Sequence, residues 1–183
     1  MKRYLALLRA VNVGQRTVKM DYLKKIFEEA GYRNVHTYIQ SGNVIFDSTG
    51  ENHEELINHL QEMLNRSCKF WIDVILRDTD QMQEVVNYAP FTEEETNEWK
   101  QYISFLNGPP AQGVHAIIHN WNNEKERYFL HESQLYVHLH KSLSGGAPVK
   151  YNHLEKIAKQ PSTTRNWNTV KHLLKLLKDK QHH

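Results

Sequence analysis

The segment that most limits what this chain can fold into is Gln40-Ser41-Gly42-Asn43, set between two β-rich stretches, Val35 to Ile39 and Val44 to Phe46. Small, turn-prone residues at this spacing supply the positive φ angles of a tight hairpin. Upstream, residues 3–10 form an apolar run too short for a typical helix, read as a largely buried strand, and the loop Asn12-Val13-Gly14-Gln15 follows it. Met20, Leu23, Ile26, Phe27 and Ala30 then recur at helical spacing, with Gly31 as the closing residue. Downstream of the hairpin, Leu56, Ile57, Leu60, Met63 and Leu64 trace a second helical stripe, and Phe70 to Leu76 reads as a strand. The predicted order is βαββαβ over residues 1–77, the ferredoxin-like arrangement.

Beyond residue 77 the signals predict a helix from Met82 to Tyr88, stopped by Pro90, and a strand from Tyr102 to Leu106, ended by Asn107-Gly108-Pro109-Pro110. Ala111, Val114, Ile117, Ile118 and Trp121 share a helical face, Arg127 to His131 and Leu135 to His140 form a hairpin, and Leu154 to Ala158 and Trp167 to Leu177 are helices. The expected fold class is therefore α+β, with a ferredoxin-like half over 1–77 and a second, smaller lobe over 78–183. That lobe reads β-α-β-β-α, carries basic C-terminal helices and is expected to pack against the first. The two halves show no residue-level repeat, and no low-complexity linker separates them.

A chain of 183 residues with 39% hydrophobic and 24% charged side chains can bury a core without disulfide or metal support. Cys68 is the only cysteine, so no internal disulfide forms and a reducing compartment is expected. The apolar run Tyr4 to Leu8 is cut off by Arg9, too soon for a signal-peptide core or a membrane span, so the expected location is cytoplasmic, with no membrane partner. The formal net charge of +2 conceals an uneven distribution. Residues 78–99 hold seven acidic side chains (Asp78, Asp80, Glu84, Glu93, Glu94, Glu95, Glu98) and no Lys or Arg, whereas residues 142–183 hold eight Lys or Arg against Glu155 and Asp179. The basic tail either lies along the acidic segment of its own chain or meets an acidic partner.

Three stretches carry a family resemblance: Tyr4-Leu5-Ala6-Leu7-Leu8-Arg9-Ala10-Val11-Asn12-Val13-Gly14, then Val35-His36-Thr37-Tyr38-Ile39-Gln40-Ser41-Gly42-Asn43-Val44-Ile45-Phe46, and Thr163-Thr164-Arg165-Asn166-Trp167-Asn168-Thr169-Val170. Together, and in this order, they resemble the domain of unknown function 1697 family. The resemblance implies a ferredoxin-like α+β fold in an intracellular, mostly bacterial protein, and it brings no activity, ligand or catalytic residue with it. Ala10 stands where the family usually has glycine, and Gln15 where a second glycine is common, departures that weaken any claim that the loop needs extreme backbone freedom.

In a βαββαβ sheet the end of the first strand, the start of the first helix and the hairpin tip share one edge. That edge would gather Arg9, Asn12, Gly14, Lys19, Ser41, Gly42 and Asn43, a set of amides, short polar side chains and two cations beside a helix N-terminus that suits a phosphate or carboxylate. The plainer reading of the same residues is turn chemistry, with Ser41-Gly42-Asn43 making the turn, Asn12 capping the loop and Lys19 solvated. Thr163-Thr164-Arg165-Asn166 precedes the apolar stripe of the last helix, so Thr or Asn serves as its N-cap. Arg165 at a helix start opposes the dipole, and calls for an acidic partner within the chain or an anionic ligand. Arg165 and Asn166 therefore join the candidate ligand-binding set.

His115 with His119, and His138 with His140, have chelating spacing, but no Glu supplies a zinc-protease base and no carboxylate lies at ligand spacing, so neither metal nor cofactor is expected. Nucleic-acid binding is disfavoured, because the first and third strands lack the stacking aromatics of RNA-recognition sheets. No side chain is identifiable as nucleophile or general base, which leaves the reaction type, and whether there is one, open. Three functional classes stand: a protein that binds or acts on a small anionic, perhaps phosphorylated, ligand; a protein-protein assembly module, monomeric or weakly dimeric; and a weak nucleic-acid binder.

Overall fold

The computed structural model describes residues 1–14, 16–49, 52–91, 97–143 and 151–179. Gln15, Glu93, Glu94, Glu95 and the chain beyond Asp179, which enter the sequence reading, lie outside the described residues. The protein is α+β, with two antiparallel four-stranded sheets and six helices among the described residues. It divides into two compact units, residues 1–84 with 172–183, and residues 85–171.

In the first unit the elements are β1 (Lys2–Leu8), α1 (Met20–Glu29), β2 (Arg33–Tyr38), β3 (Asn43–Ser48), α2 (His53–Cys68) and β4 (Val74–Asp78). The strands lie in the order β2-β3-β1-β4, so β1 is central and pairs antiparallel with both β3 and β4. Tyr4, Ala6 and Leu8 of β1 join Val44 and Phe46, Val74 and Leu76, and the stripes Leu23-Ile26-Phe27 and Leu56-Leu60-Leu64 in one core. Leu5 and Leu7 are equally buried, so β1 is covered on both faces, and this accounts for its unbroken apolar run. Each fully buried Leu or Phe here stabilises the fold by roughly 1.5–3 kcal/mol.

α2 starts at Asn52, whose Oδ1 accepts the N–H of Glu54 at 2.9 Å, and Glu54 and Glu55 favour the positive end of the helix dipole. The strand expected over Phe70 to Leu76 is displaced, because β4 begins only at Val74. Lys69 turns the chain out of α2 with φ 64°, the indole N–H of Trp71 donates to Asp73 Oδ1 at 2.9 Å, and the Asp73 carbonyl accepts the backbone N–H of Arg9 at 3.0 Å. The regular pairing with β1 runs from Val74 to Asp78.

α3 (Thr79–Tyr88) carries one passage between the units. Asp78 and Gln81 cap it reciprocally, Oδ1 accepting the N–H of Gln81 at 2.8 Å and Oε1 that of Asp78 at 3.0 Å.

The second unit contains β5 (Trp99–Leu106), α4 (Val114–His119), β6 (Glu126–His131), β7 (Gln134–His140), α5 (Tyr151–Ala158) and β8 (Ser162–Asn166), and α6 (Trp167–Lys178) leads back to the first. Its strand order, β6-β7-β5-β8, repeats that of the first unit element for element. Leu106, Val114, Ile118, Trp121, Tyr128, Leu135, Val137, Leu139 and Leu154 form its core. β8 is absent from the sequence reading, which took residues 163–166 for the approach to a helix. They instead pair with β5 over Tyr102 to Phe105, and a bond of 2.6 Å joins the hydroxyls of Ser104 and Thr164. No helix among the described residues is long and apolar enough to cross a membrane.

Candidate functional site

At the end of the first sheet the loop after β1 and the β2–β3 turn do meet. Asn12 holds three partners: its Oδ1 accepts the N–H of Val18 at 2.7 Å, and its Nδ2 donates to the carbonyls of Val18 at 3.1 Å and Gln40 at 2.7 Å. The N–H of Leu8 donates to the carbonyl of Gly42 at 2.8 Å. Arg9 pairs with Asp73, Nη1 to Oδ2 being 3.7 Å. Asn43 is fully buried, and its Nδ2 donates to the carbonyl of Tyr38 at 2.9 Å and to Ser41 Oγ at 3.0 Å. Lys19 is exposed at the head of α1 and makes no capping bond. The side chains of Arg9, Asn12, Ser41 and Asn43 are thus engaged within the chain.

The loop does demand unusual backbone, contrary to the expectation drawn from Ala10. Ala10, Asn12 and Gly14 all have positive φ, at 54°, 59° and 62°. At Gly14 a side chain would meet open space, whereas at Gly42, φ 75°, an added Cβ would stand 2.9 Å from Leu8 Cβ and 3.2 Å from Val11 Cβ.

Arg165 and Asn166 belong to the second unit. Arg165 lies in β8 and not at a helix start, is buried, and donates from Nη1 to Thr163 Oγ1 and to the carbonyl of Thr164, both at 2.8 Å. Asn166 is the N-cap of α6, its Oδ1 accepting the N–H of Thr169 at 2.8 Å.

Asn166 also opens onto a cavity of about 720 Å³. The strand register creates it. β5 pairs with β7 over Trp99 to Phe105 but with β8 only from Tyr102 onward, and at Asn166, opposite Tyr102, the chain leaves the sheet for α6. The walls are accordingly residues 99–102 of β5, Lys141, and the first turns of α6, namely Asn166, Trp167, Asn168 and Lys171. Three of these are lysines, Lys100, Lys141 and Lys171, and none is acidic.

The first turn of α6 likewise holds no acidic residue, so the positive end of a 12-residue helix is uncompensated there. Lys141 Nζ donates to the carbonyl of Asn97 at 2.7 Å, which leaves two of its protons for other acceptors. Gln101 is 8% exposed, and among the described residues nothing pairs with its Nε2. Lys171 Nζ stands 5.7 Å from the centre of the Trp167 ring, and Phe91 meets the same indole edge-on at 5.1 Å.

Lys100, Lys141 and Gln101 carry no sequence signal, and Lys171 figures there only within the basic tail; Asn166 is the one candidate ligand residue that borders this cavity. His115 and His119 line a second cavity, of about 400 Å³, with Tyr88, Tyr128 and Phe129. Among the described residues no three His, Cys, Asp or Glu side chains are grouped to hold a metal ion.

Burial raises the Cys68 thiol, which favours its protonated form. Burial lowers His53. Lys2 Nζ lies 2.6 Å from Asp78 Oδ2, and this hydrogen bond raises the lysine. Burial by itself would raise Asp78, but the N–H of Gln81 and the Lys2 ammonium outweigh it and the carboxyl is lowered.

A family model described as "Protein of unknown function (DUF1697)" matches residues 1–136, which takes in the β5 wall of the cavity and stops before Lys141 and α6. No curated protein matches the chain. The solved structure of a conserved bacterial protein from Streptococcus pneumoniae is similar, with a TM-score of 0.71 and 20% identity over 98% of this chain and 99% of that one. At that identity the likeness establishes the fold.

Proposed function

The chain belongs to the DUF1697 family of proteins of unknown function, and from that premise we propose that it binds a small anionic, phosphorylated ligand in the cavity between β5 and the start of α6. One observation carries the reading: three lysines and, among the described residues, no carboxylate line a cavity that also receives the N-terminus of α6. Ammonium groups and unpaired helix N–H groups attract a phosphate together, since each supplies positive charge and the latter supply directed donors.

The rim of the first unit is the weaker place for such a ligand, because the polar side chains of Asn12, Ser41 and Asn43 and the cation of Arg9 already have partners within the chain. We also read each unit as ferredoxin-like, from its shared element and strand order. A cytoplasmic, bacterial setting is supported by the lone cysteine and by the bacterial source of the structural neighbour.

Isothermal titration with inorganic pyrophosphate tests the proposal. The wild-type chain should bind, more weakly as salt is raised, and Lys100→Ala with Lys171→Ala should weaken binding by at least about tenfold. Equal binding by wild type and double variant would remove the cavity from consideration.

A further inference from the structure

Resting on that anion-binding reading, we infer that the ligand carries an aromatic base beside its phosphates: the cavity is built for a nucleoside phosphate, with the base on Trp167 and the phosphates on the lysines and the α6 N-terminus. The first argument is size. A single phosphate displaces only a few waters of about 30 Å³ each, so it would leave most of the 720 Å³ unfilled. The space instead lies within the roughly 300–1,000 Å³ typical of sites that enclose a whole small molecule.

The second argument is the composition of the walls. Trp167 and Lys171, one helical turn apart on α6, place an indole and an ammonium on the same side of the cavity. Phe91 and Trp167 meet edge-to-face, so the indole already has a packing partner when a planar group meets it. Trp167 is also the first residue of α6, so the stacking surface adjoins the start of that helix, where Asn166 caps the N–H of Thr169. A ring and a phosphate bound here are therefore a few bonds apart in the ligand.

The test compares affinities of the full chain for pyrophosphate, for ADP and for CDP by isothermal titration. The nucleotides should bind at least about tenfold tighter than pyrophosphate, the increment expected of one stacked base. In Trp167→Leu the ratio should collapse towards one, and in Trp167→Phe it should largely survive. Equal affinities of the wild type for pyrophosphate and both nucleotides would overturn the base while leaving the anion site standing. Absence of binding by all three would overturn both. Should Trp167→Leu fail to fold, the indole N–H resonance of Trp167 in the wild type reads the same contact: a shift on adding ADP that pyrophosphate does not produce supports stacking, and no shift refutes it.

Discussion

Asn12 donates its side-chain amide to the carbonyl of Gln40 at 2.7 Å, and in doing so ties the loop after β1 to the turn between β2 and β3. Its other two bonds, to the N–H and carbonyl of Val18, close the loop upon itself. Asn is suited to the place because its short amide does this from a left-handed backbone, here at φ 59°. Asn12→Ala removes three bonds and keeps the strained backbone. At about 0.5–1.5 kcal/mol per bond it should cost roughly 2–4 kcal/mol in urea unfolding. A loss under about 0.5 kcal/mol would show the two loops to be held by other contacts.

The same end of the sheet predicts two substitutions of opposite sign. Ala10 sits at φ 54°, where a Cβ is unfavourable, so Ala10→Gly relieves strain of about 1–2 kcal/mol and returns part of it as unfolded-chain entropy. A net gain of roughly 0.5–1 kcal/mol is expected. Gly42→Ala meets both penalties, a left-handed backbone and a Cβ 2.9 Å from that of Leu8, and should lose roughly 2–4 kcal/mol. Paired denaturation curves check both signs, and a neutral Gly42→Ala would mean that the turn moves freely away from β1.

Stability should also vary with pH in predictable windows. His53 is lowered by burial, so the unfolded chain takes up its proton first; its contribution is complete above about pH 6.5 and is lost as pH falls from there through the folded value. Asp78 is lowered because the N–H of Gln81 and the Lys2 ammonium overcome the effect of its burial. Its contribution is complete above about pH 4 and is lost as pH falls through the folded value. Lys2 is raised by the same pair, so its share holds below about pH 10.4 and disappears as pH rises past the folded value. Thermal unfolding from pH 3 to 8 should therefore lose its slope just below about pH 6.5 in His53→Gln, and soften below about pH 4 in Asp78→Asn. A His53→Gln curve parallel to wild type between about pH 5 and 6.5 would exclude that residue as the source.

Most of the fold can be read from local pattern. The stripes Leu23-Ile26-Phe27 and Leu56-Leu60-Leu64 have helical period, β1 is an apolar run, and the β2–β3 hairpin carries its own turn residues, so periodicity alone marks these elements. β8 could not be found this way. Ser162-Thr163-Thr164-Arg165-Asn166 has no aliphatic alternation, and it becomes a strand because β5 offers it a row of backbone partners and Ser104 a hydroxyl. Nor did sequence show that Ala10 would adopt a backbone suited to glycine, since that strain is imposed by the closure of the loop through Asn12.

The candidate cavity was legible only at Asn166. Lys100, Lys141 and Lys171 are far apart in the chain, and nothing in their neighbours distinguishes them from other surface lysines. By itself the amino-acid sequence determined the α+β class, the βαββαβ order of the first half and the hairpin, because these depend on side-chain period and turn chemistry within a few residues. Only the tertiary structure decided that β8 stops at Asn166 while β5 continues to Trp99, and hence that three lysines, a helix end and an indole surround one space. Strand register depends on backbone pairing between segments some sixty residues apart, Tyr102 against Asn166, and no local pattern encodes where such a pairing ends.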